Sequence, residues 1–219
     1  MGSSTFFSLV SESATVPQSA LRALAAVLER QLVEDFAPAW CPGSAFRVLA
    51  GQDVAAVAAF DGRACTVILT DREDQPGDAG YHSAVGDCPF ATIQVPDCGE
   101  RLPIVLSHEL LETCADWRAD LWSAGPPPVG DIAFEICDPV EDSAYLLDGV
   151  QVSDFVLPAY FDPSLPGPWD RLRALAGPLT LTSGGYWALR SGGIRWGGAA
   201  RALPAWRRAA RRSWAQEAP

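Results

Sequence analysis

The sequence of 219 residues lacks several features that define common classes of protein. It contains no Lys, and no apolar run approaches the roughly 20 residues that a membrane-spanning helix requires. The segment from Met1 to Val10 also lacks the basic stretch and long apolar stretch of a secretory signal. We therefore expect a soluble, cytoplasmic protein without a transmembrane segment. All 16 basic residues are Arg, which we attribute to genome composition rather than to chemistry.

Motifs of three common chemistries are also missing. No Cys-x-x-Cys pair is present, which argues against a zinc site built from thiolates. Neither a Gly-x-Ser-x-Gly elbow nor a phosphate-binding loop occurs, which argues against a serine hydrolase and a nucleotide-binding domain. In a reducing compartment we expect free thiols, even for Cys114 and Cys137, which could approach each other. The six Cys are Cys41, Cys65, Cys88, Cys98, Cys114 and Cys137.

Composition and charge indicate a folded acidic body with a basic C-terminal end. Hydrophobic residues make up 48% of the chain, which is enough for a core, while 18 Pro and 19 Gly indicate many loops. The net charge is −11, but it is uneven. From Tyr186 onward the chain has seven Arg and one Glu, whereas the preceding part has nine Arg and 26 acidic residues. An acidic body disfavours nucleic acid as a partner.

Hydrophobic periodicity predicts an α+β fold with a mixed or antiparallel sheet. Helices are predicted over residues 17–36, where Leu and Phe recur at helical spacing, and over residues 103–117. A turn-rich loop is predicted over residues 71–87, and turns at Asp61-Gly62 and Asp148-Gly149. The predicted strands are 5–10, 46–50, 55–60, 65–70, 90–95, 132–137, 145–147, 150–156 and 186–189, with a short helix at 169–175.

The predicted helix over residues 103–117 carries the most informative motif. His108 and Glu112 are four residues apart, so they share one helix face, where an imidazole and a carboxylate can bind the same zinc ion. Glu109 projects about 100° further around the helix. In the HExxH motif of metalloproteases, the Glu at this position is the general base that acts on metal-bound water. Here Glu112 replaces the second His, which makes the motif HExxE.

Two observations favour a metal site over a solvated helix face. The neighbours of the motif are strongly apolar, so the helix is expected to be buried, and buried charges need partners or a metal. A second acidic cluster follows at residues 135–142 and contains Glu135 and Asp138. The alternatives are a core His108 bonded to a backbone carbonyl and motif carboxylates that form ion pairs.

The order of these motifs resembles a known family. His-Glu-x-x-Glu-x-x-x-Asp over residues 108–116, followed by Glu-Ile-x-Asp over residues 135–138, is similar to zincin-like proteins that carry HExxE in place of HExxH. These proteins occur in bacteria, phages and plants, and the resemblance spans roughly residues 61–189. It implies a small mixed sheet, with residues 17–36 as the backing helix. Residues 90–95 would then form the edge strand, to which an extended peptide can add.

The resemblance implies a zinc-dependent metallohydrolase, most simply a peptidase acting on a peptide or protein. His108 and Glu112 would hold one zinc ion per chain, and Glu109 would be the catalytic base. Catalytic zinc keeps three protein ligands and one open position, so the third ligand must come from outside the helix. We favour Asp138 as this ligand, with Glu135 as the alternative. Either carboxylate could instead accept a hydrogen bond from His108 and so orient its ring without contacting the metal.

Three more acidic residues near the motif have other assignments. Asp116 lies eight residues after His108, about 12 Å along the helix axis, so an unbroken helix prevents it from sharing the metal. It is expected to cap or bond the following loop, with a role in holding a separate cation as the alternative. Glu141 and Asp142 are expected to be solvated turn residues, and a calcium site formed with Asp116 is the alternative.

Residues outside the motif are candidates for contact with substrate. His82 and Tyr186 are the candidate substrate-binding residues, although a surface loop position is the favoured alternative for His82. Tyr81 and Tyr145 are alternative oxyanion donors to Tyr186, and the sequence does not choose among the three.

The carboxylate at position 112 affects the expected chemistry of the metal site more than the expected fold. Replacing a neutral imidazole by an anion lowers the net charge on the metal site, which weakens its power to acidify water. It also favours a harder divalent cation as the alternative to zinc. A site with a purely structural metal, or with none, is a further alternative.

The C-terminal end supports a second functional hypothesis. After a zincin-like domain of residues 1–190, residues 191–219 are predicted to be a Gly-rich linker and a basic amphipathic tail. In residues 199–214, apolar residues including Trp206 and Trp214 recur at helical spacing among five Arg. Docking on an acidic partner, or on the acidic body itself, is favoured over a membrane or nucleic acid. The alternative function is thus an inactive zincin-like interaction protein, associated with a phage or another assembly.

Overall fold

Strands and helices alternate along the N-terminal half of the chain, and a second group of strands follows the motif helix. The computed structural model describes residues 4–51, 63–75, 77–125, 130–191 and 193–199. Within these ranges the protein has the α+β fold that the sequence predicts. No helix among the described residues combines the length and apolar character needed to cross a membrane.

The main sheet has five strands in the order β2-β1-β3-β5-β4. β1 (Ser4–Ser11) lies between β2 (Ala45–Ala50) and β3 (Arg63–Thr70), and β5 (Cys88–Gln94) follows β3. These four strands are parallel, and they are rich in β-branched and aromatic residues, as is typical of a covered parallel sheet. β4 (Gly80–Val85) pairs antiparallel with β5 and is the last strand on that side.

A long helical segment packs against β1 and β2. α1 (Gln18–Arg30) continues into a π-helical turn (Gln31–Phe36) and then α2 (Ala37–Trp40). The helix predicted over residues 17–36 is therefore present, but its last six residues are π-helical. Its buried apolar residues recur at helical spacing and join the core of the sheet. They include Leu21, Leu28, Leu32 and Phe36.

The motif helix follows the main sheet after two short turns. Between β5 and this helix the chain forms α3 (Val95–Cys98) and a 3-10 turn (Gly99–Arg101). The motif helix itself, α4 (Leu102–Ala115), has Pro103 in its first turn, where a missing N–H loses no helical hydrogen bond. The helix ends at Asp116, which leaves the helical conformation with φ −142°.

After the motif helix the chain forms two small antiparallel sheets. One has the order β11-β10-β7-β6, and the other is the hairpin β8-β9. At the tip of this hairpin Asp148 and Gly149 have φ +51° and +81°, so the predicted two-residue turn is confirmed. The elements are β6 (Trp122–Ser123), β7 (Asp131–Ala133), β8 (Ala144–Leu147), β9 (Val150–Ser153), α5 (Pro158–Phe161), β10 (Tyr186–Arg190) and β11 (Ile194–Gly198).

Buried hydrogen bonds hold the motif helix between the two halves of the chain. α4 contacts β4 and β5 on one side and β9 on the other. Ser107 Oγ donates to Gln31 Oε1 (2.7 Å) and accepts from the Ser153 backbone N–H (3.0 Å). Gln31 Nε2 donates in turn to the Ser153 carbonyl (3.0 Å). These three buried residues thus fix α4 against the π-helical turn and β9.

The strand at the edge of the main sheet is not the predicted one. The sequence predicts residues 90–95 as the edge strand, but β5 lies between β3 and β4. The edge is β4, within the segment 71–87 that the sequence predicts as a loop. Periodicity misses β4 because Gly, His and Ser interrupt its apolar side chains. The two-residue turn Gly86-Asp87, with Gly86 at φ +61°, joins β4 to β5.

Other differences concern the C-terminal half. The helix predicted over residues 169–175 is wrong, because this segment is a loop around the Asp170 carboxylate. That carboxylate accepts hydrogen bonds from the backbone N–H groups of Ala174 and Leu175, at 2.8 and 3.0 Å. β11 occupies part of the segment that the sequence predicts as a linker and as irregular structure. The predicted strand 55–60, the turn at 61–62 and the basic tail from residue 200 lie outside the described residues.

Candidate metal centre

Three parts of the chain bring both His residues and several carboxylates into one buried cluster. α4 supplies three side chains, β4 supplies one, and the segment that follows β7 supplies the rest. Two sets of these side chains each place one potential ligand atom per residue within 4.8 Å of one another, and each set could hold a metal ion. The first set is His82, Glu109 and Glu112, and the second is His108, Asp138 and Glu141.

His108 has different partners for its two ring nitrogens. Nδ1 lies 3.2 Å from Glu141 Oε2. Nε2 lies 3.2 Å from Glu112 Oε2, one helical turn away, and 3.6 Å from Asp138 Oδ1. The predicted approach of Asp138 to the motif is therefore present in the structure. A His that donates one N–H to a carboxylate and turns its other nitrogen to further ligands is the usual arrangement in metal sites.

Glu112 is fixed by the strand-to-turn segment that carries Asp138. Its Oε1 accepts a hydrogen bond from the Cys137 backbone N–H at 3.1 Å, and its side chain is 1% exposed. This bond directs Oε2 toward the imidazole of His108. A carboxylate with one oxygen held by the backbone and the other beside an imidazole is oriented as a metal ligand would be.

The donor set fits a divalent cation. Zinc binds N and O ligands at about 2.0–2.2 Å, so two ligands of one tetrahedral ion lie about 3.4 Å apart. The distances from His108 Nε2 to Glu112 and Asp138, 3.2 and 3.6 Å, lie on either side of that value. Nε2 is buried and makes no hydrogen bond of good geometry within the described residues, although both oxygens are near. A cation between these atoms would contact all three.

Glu109, the neighbour of His108, lies between β4 and the cleft. Its Oε2 is 3.2 Å from His82 Nδ1, and its side chain is 3% exposed. Gly80, at the start of β4, allows this close packing: an added Cβ there would lie 2.9 Å from Val105 Cγ1 and 3.1 Å from Glu109 Oε1. The glycine therefore lets the strand backbone approach α4 directly over the Glu109 side chain.

His82 is buried in the sheet and does not lie in a surface loop, so that expectation is wrong. It belongs to β4, and pairing with β5 turns its side chain toward α4. Its Nε2 lies 3.0 Å from the carbonyl oxygen of Asp116 and 3.7 Å from Glu135 Oε2. Because the loop prediction missed β4, the sequence did not indicate that this His contacts the motif residues.

Asp116 and Glu135 both lie beside Nε2 of His82. The Asp116 carboxylate accepts hydrogen bonds from the backbone N–H groups of Asp120 and Leu121, at 3.2 and 2.8 Å. The prediction that Asp116 bonds the following loop is confirmed. Glu135 approaches His82, whereas Asp138 approaches His108, so the structure separates the two candidates for a third ligand.

Glu141 is the residue of the cluster that sequence reasoning missed. It is predicted to be a solvated turn residue, but its carboxylate contacts His108 Nδ1 and its side chain is 29% exposed. The chain forms a 3-10 turn at Asp138–Val140, and residues three apart in such a turn lie on one side. The spacing of Asp138 and Glu141 was therefore the signal that could have identified it. Asp142 is exposed, as predicted.

The negative charges of the cluster dominate the electrostatics of both imidazoles. Burial disfavours the charged form and by itself lowers the pKa of a His. For His108 this effect is outweighed by the charges of Glu112 and Glu141, among others, so its pKa lies well above the ordinary value. For His82 the hydrogen bond and charge of Glu109 outweigh burial, and its pKa is also raised. The cluster therefore attracts positive charge, whether a proton or a metal ion.

A cleft of ≈ 460 Å³ opens beside the cluster, and His108 and Glu109 line it. Tyr186, at the start of β10, also lines the cleft, as a substrate-binding residue would. Tyr145 does not, because its hydroxyl donates to Asp35 Oδ2 at 2.7 Å on another part of the molecule. Tyr81, on β4, packs edge-on against Phe90.

The Cys side chains do not take part in disulfides. All six lie in the described part of the chain, and none is bonded to another, including Cys114 and Cys137. Burial raises the pKa of the Cys65 thiol to about 12, which keeps it protonated at neutral pH. Cys65, Cys98 and Cys137 are buried in the core, whereas Cys88 is exposed.

Comparisons with known proteins yield no match to this chain. No protein-family model matches it, and neither a curated protein nor a solved structure does. The function is therefore inferred from the geometry of the cluster and from the order of its motifs.

Proposed function

We propose that the protein is a zincin-like metallohydrolase, and most simply a peptidase, with one zinc ion held by His108, Glu112 and Asp138. The observation that carries this proposal is the environment of His108. Its Nε2 faces two buried carboxylate oxygens at 3.2 and 3.6 Å, while Glu141 holds its other nitrogen. The mixed five-stranded sheet, the preceding helix α1 and the buried motif helix α4 are consistent with a zincin-like arrangement.

The proposed ligands are one imidazole and two carboxylates, a set that zinc accepts. A zinc ion held there would act as a Lewis acid, polarising a substrate carbonyl and lowering the pKa of water. Because two of the three ligands are anionic, a harder divalent cation such as Mn²⁺ is the alternative occupant. Glu135 is not needed as a ligand, since it lies beside His82 instead.

Glu109 is the residue best placed to accept a proton from water. It adjoins His108 in the sequence and lines the cleft, and its carboxylate is held between His82 and the strand backbone at Gly80. A positioned carboxylate base contributes about 10²–10⁴-fold to a hydrolytic rate. Tyr186, which also lines the cleft, is the candidate donor to the oxygen of the substrate carbonyl.

The position of β4 favours a peptide as the substrate. β4 is the last strand of the main sheet, and Ala79 and Gly80, where it begins, line the cleft. An extended peptide can add to such an edge through main-chain hydrogen bonds. A peptide bound in this way would lie beside Glu109 and His108.

A single isosteric substitution tests the proposed reaction. Glu109→Gln removes the base but none of the three proposed ligands, so we expect hydrolysis of an unfolded protein such as casein to fall at least about 100-fold. Tyr81→Phe, on the other face of β4, is the matched control and should retain hydrolysis. Hydrolysis that is equal in the wild type and in Glu109→Gln would contradict the proposed role.

A further inference from the structure

His82 is not used by the proposed zinc site, yet its ring is fixed at both nitrogens. Nε2 lies 3.0 Å from the carbonyl oxygen of Asp116. A carbonyl oxygen can only accept a hydrogen bond, so Nε2 must carry a proton. In the neutral imidazole, Nδ1 is therefore a bare lone pair, which is the form in which a His binds a metal ion.

The surroundings of Nδ1 are those of a cation site. Nδ1 lies 3.2 Å from Glu109 Oε2 and 3.7 Å from Glu112 Oε2. These three side chains are at most 4% exposed, and their ligand atoms lie within 4.8 Å of one another. A bare lone pair facing two carboxylate oxygens is repulsive unless a positive charge lies between them.

Glu112 connects this set of atoms to the proposed zinc site. Its Oε2 lies 3.2 Å from His108 Nε2 on one side and 3.7 Å from His82 Nδ1 on the other. A carboxylate oxygen between two imidazoles is placed to bridge two cations, as carboxylates do in two-metal sites.

Several carboxylates also surround the two imidazoles. Glu109, Glu135, Asp138 and Glu141 each contact one imidazole, and Glu112 contacts both. This arrangement of negative charge favours a positive charge beside each imidazole.

We propose that His82, Glu109 and Glu112 form a second divalent-cation site, which shares Glu112 with the proposed zinc site. A cation there takes Glu109 as a ligand, so the second ion withdraws the base from the reaction, a consequence that rests on the proposed function. An imidazole with two carboxylates suits Zn²⁺ or Mn²⁺. The protein would thus bind one ion that supports hydrolysis and a second that suppresses it when the metal is in excess.

Metal stoichiometry tests this proposal without any substrate. The full-length protein is stripped with a chelator and titrated with Zn²⁺, and bound metal per chain is measured after gel filtration. His82→Gln and His108→Gln are matched controls for each other, because the chain has only two His. Circular dichroism shows whether each variant is folded. If His82→Gln does not fold, His82→Asn is used in its place.

The outcomes separate the two sites. We expect two ions in the wild type and one in each variant. One ion in the wild type that persists in His82→Gln but is lost in His108→Gln would overturn the second site and leave the proposed zinc site intact, with a proton joining His82 to Glu109. One ion lost only in His82→Gln would support the second site and contradict the proposed zinc site. No binding to the wild type would overturn both.

Discussion

At the scale of single residues, Glu112 shows how HExxE differs from HExxH. A His in this position would present one nitrogen to the metal, whereas Glu112 presents two oxygens with separate partners. Oε1 accepts the Cys137 N–H and Oε2 faces His108. The extra oxygen ties the motif helix to the segment that carries Asp138. Glu112 therefore also positions Asp138, because its second oxygen binds the backbone next to that residue.

Glu141 should tune metal binding without being a ligand. In Glu141→Gln the side chain keeps its shape, but it loses the charge that faces His108 Nδ1. We expect the affinity for Zn²⁺ to fall about 10–100-fold, as is typical when the carboxylate behind a metal-binding His is removed. Competition with a chromophoric chelator measures this. Asp142→Asn, a change in the adjacent exposed carboxylate, is the control, and equal losses in the two variants would contradict the role of Glu141.

Gly80 should not tolerate a larger side chain. In Gly80→Ala the new Cβ meets Val105 Cγ1 at 2.9 Å and Glu109 at 3.1 Å. We expect a loss of about 1–3 kcal/mol in the free energy of unfolding, because overpacking forces the helix and strand apart. Gly177→Ala is the control, since its Cβ would meet only Thr180 Cγ2 at 3.8 Å. Urea unfolding compares the two, and equal stabilities would contradict the close packing.

The sequence could identify those residues whose relative positions are set within a single helix. His108 and Glu112 lie on one face of α4 because four residues make about one helical turn, and this follows from spacing alone. His82 could not be placed, because its position depends on β4 pairing with β5. Glu141 was missed because a short 3-10 turn, rather than an open loop, links it to Asp138.

At the scale of elements, the long regular segments were predictable and the short irregular ones were not. The helices around residues 17–36 and 103–117 carry a clear apolar periodicity and are present. β4 is short and has Gly, His and Ser among its six residues, so the sequence predicts a loop in its place. The segment 169–175 has helical residue types, but the Asp170 carboxylate satisfies its backbone N–H groups in a loop instead.

The loop around Asp170 should be sensitive to pH through Asp154. Both carboxyl groups are fully buried, and Asp154 Oδ1 accepts from the backbone N–H groups of Phe155 and Leu172, at 2.8 and 3.2 Å. Burial, together with the neighbouring Asp170, raises the pKa of Asp154 to about 8. In the unfolded chain an Asp titrates near 3.9, so the folded state binds more protons between those two values.

Stability should therefore fall as pH rises from about 4 to about 8, by at most about 1.4 kcal/mol per pH unit. Asp154→Asn keeps both backbone hydrogen bonds and places an amide donor toward Asp170, so it should be less dependent on pH and more stable than the wild type at pH 8. Urea unfolding at pH 5 and pH 8 measures the difference. Asp120→Asn, at an exposed position, is the control. Parallel pH profiles for the wild type and Asp154→Asn would contradict the raised pKa of Asp154.

At the scale of the whole molecule, the two halves of the chain meet at one acidic cluster. The N-terminal half supplies His82 from a sheet edge, and the C-terminal half supplies Asp138 and Glu141 from a turn, with α4 between them. The sequence predicts the α+β class and the approach of Asp138 to the motif helix. It does not predict which strand closes the sheet, because strand order depends on contacts between distant segments. The cluster places several of the acidic residues of the chain in a buried position.

The most direct test of the central claim is the metal content of the protein, purified without chelator and measured by elemental mass spectrometry. We expect about one tightly bound zinc per chain in the wild type and in Glu109→Gln, and its loss in His108→Gln. The two variants alter adjacent buried residues of one helix, so a difference between them reports the site rather than the fold. A wild type that carries no metal even after zinc is added back, or a zinc content that is the same in His108→Gln as in the wild type, would contradict the claim.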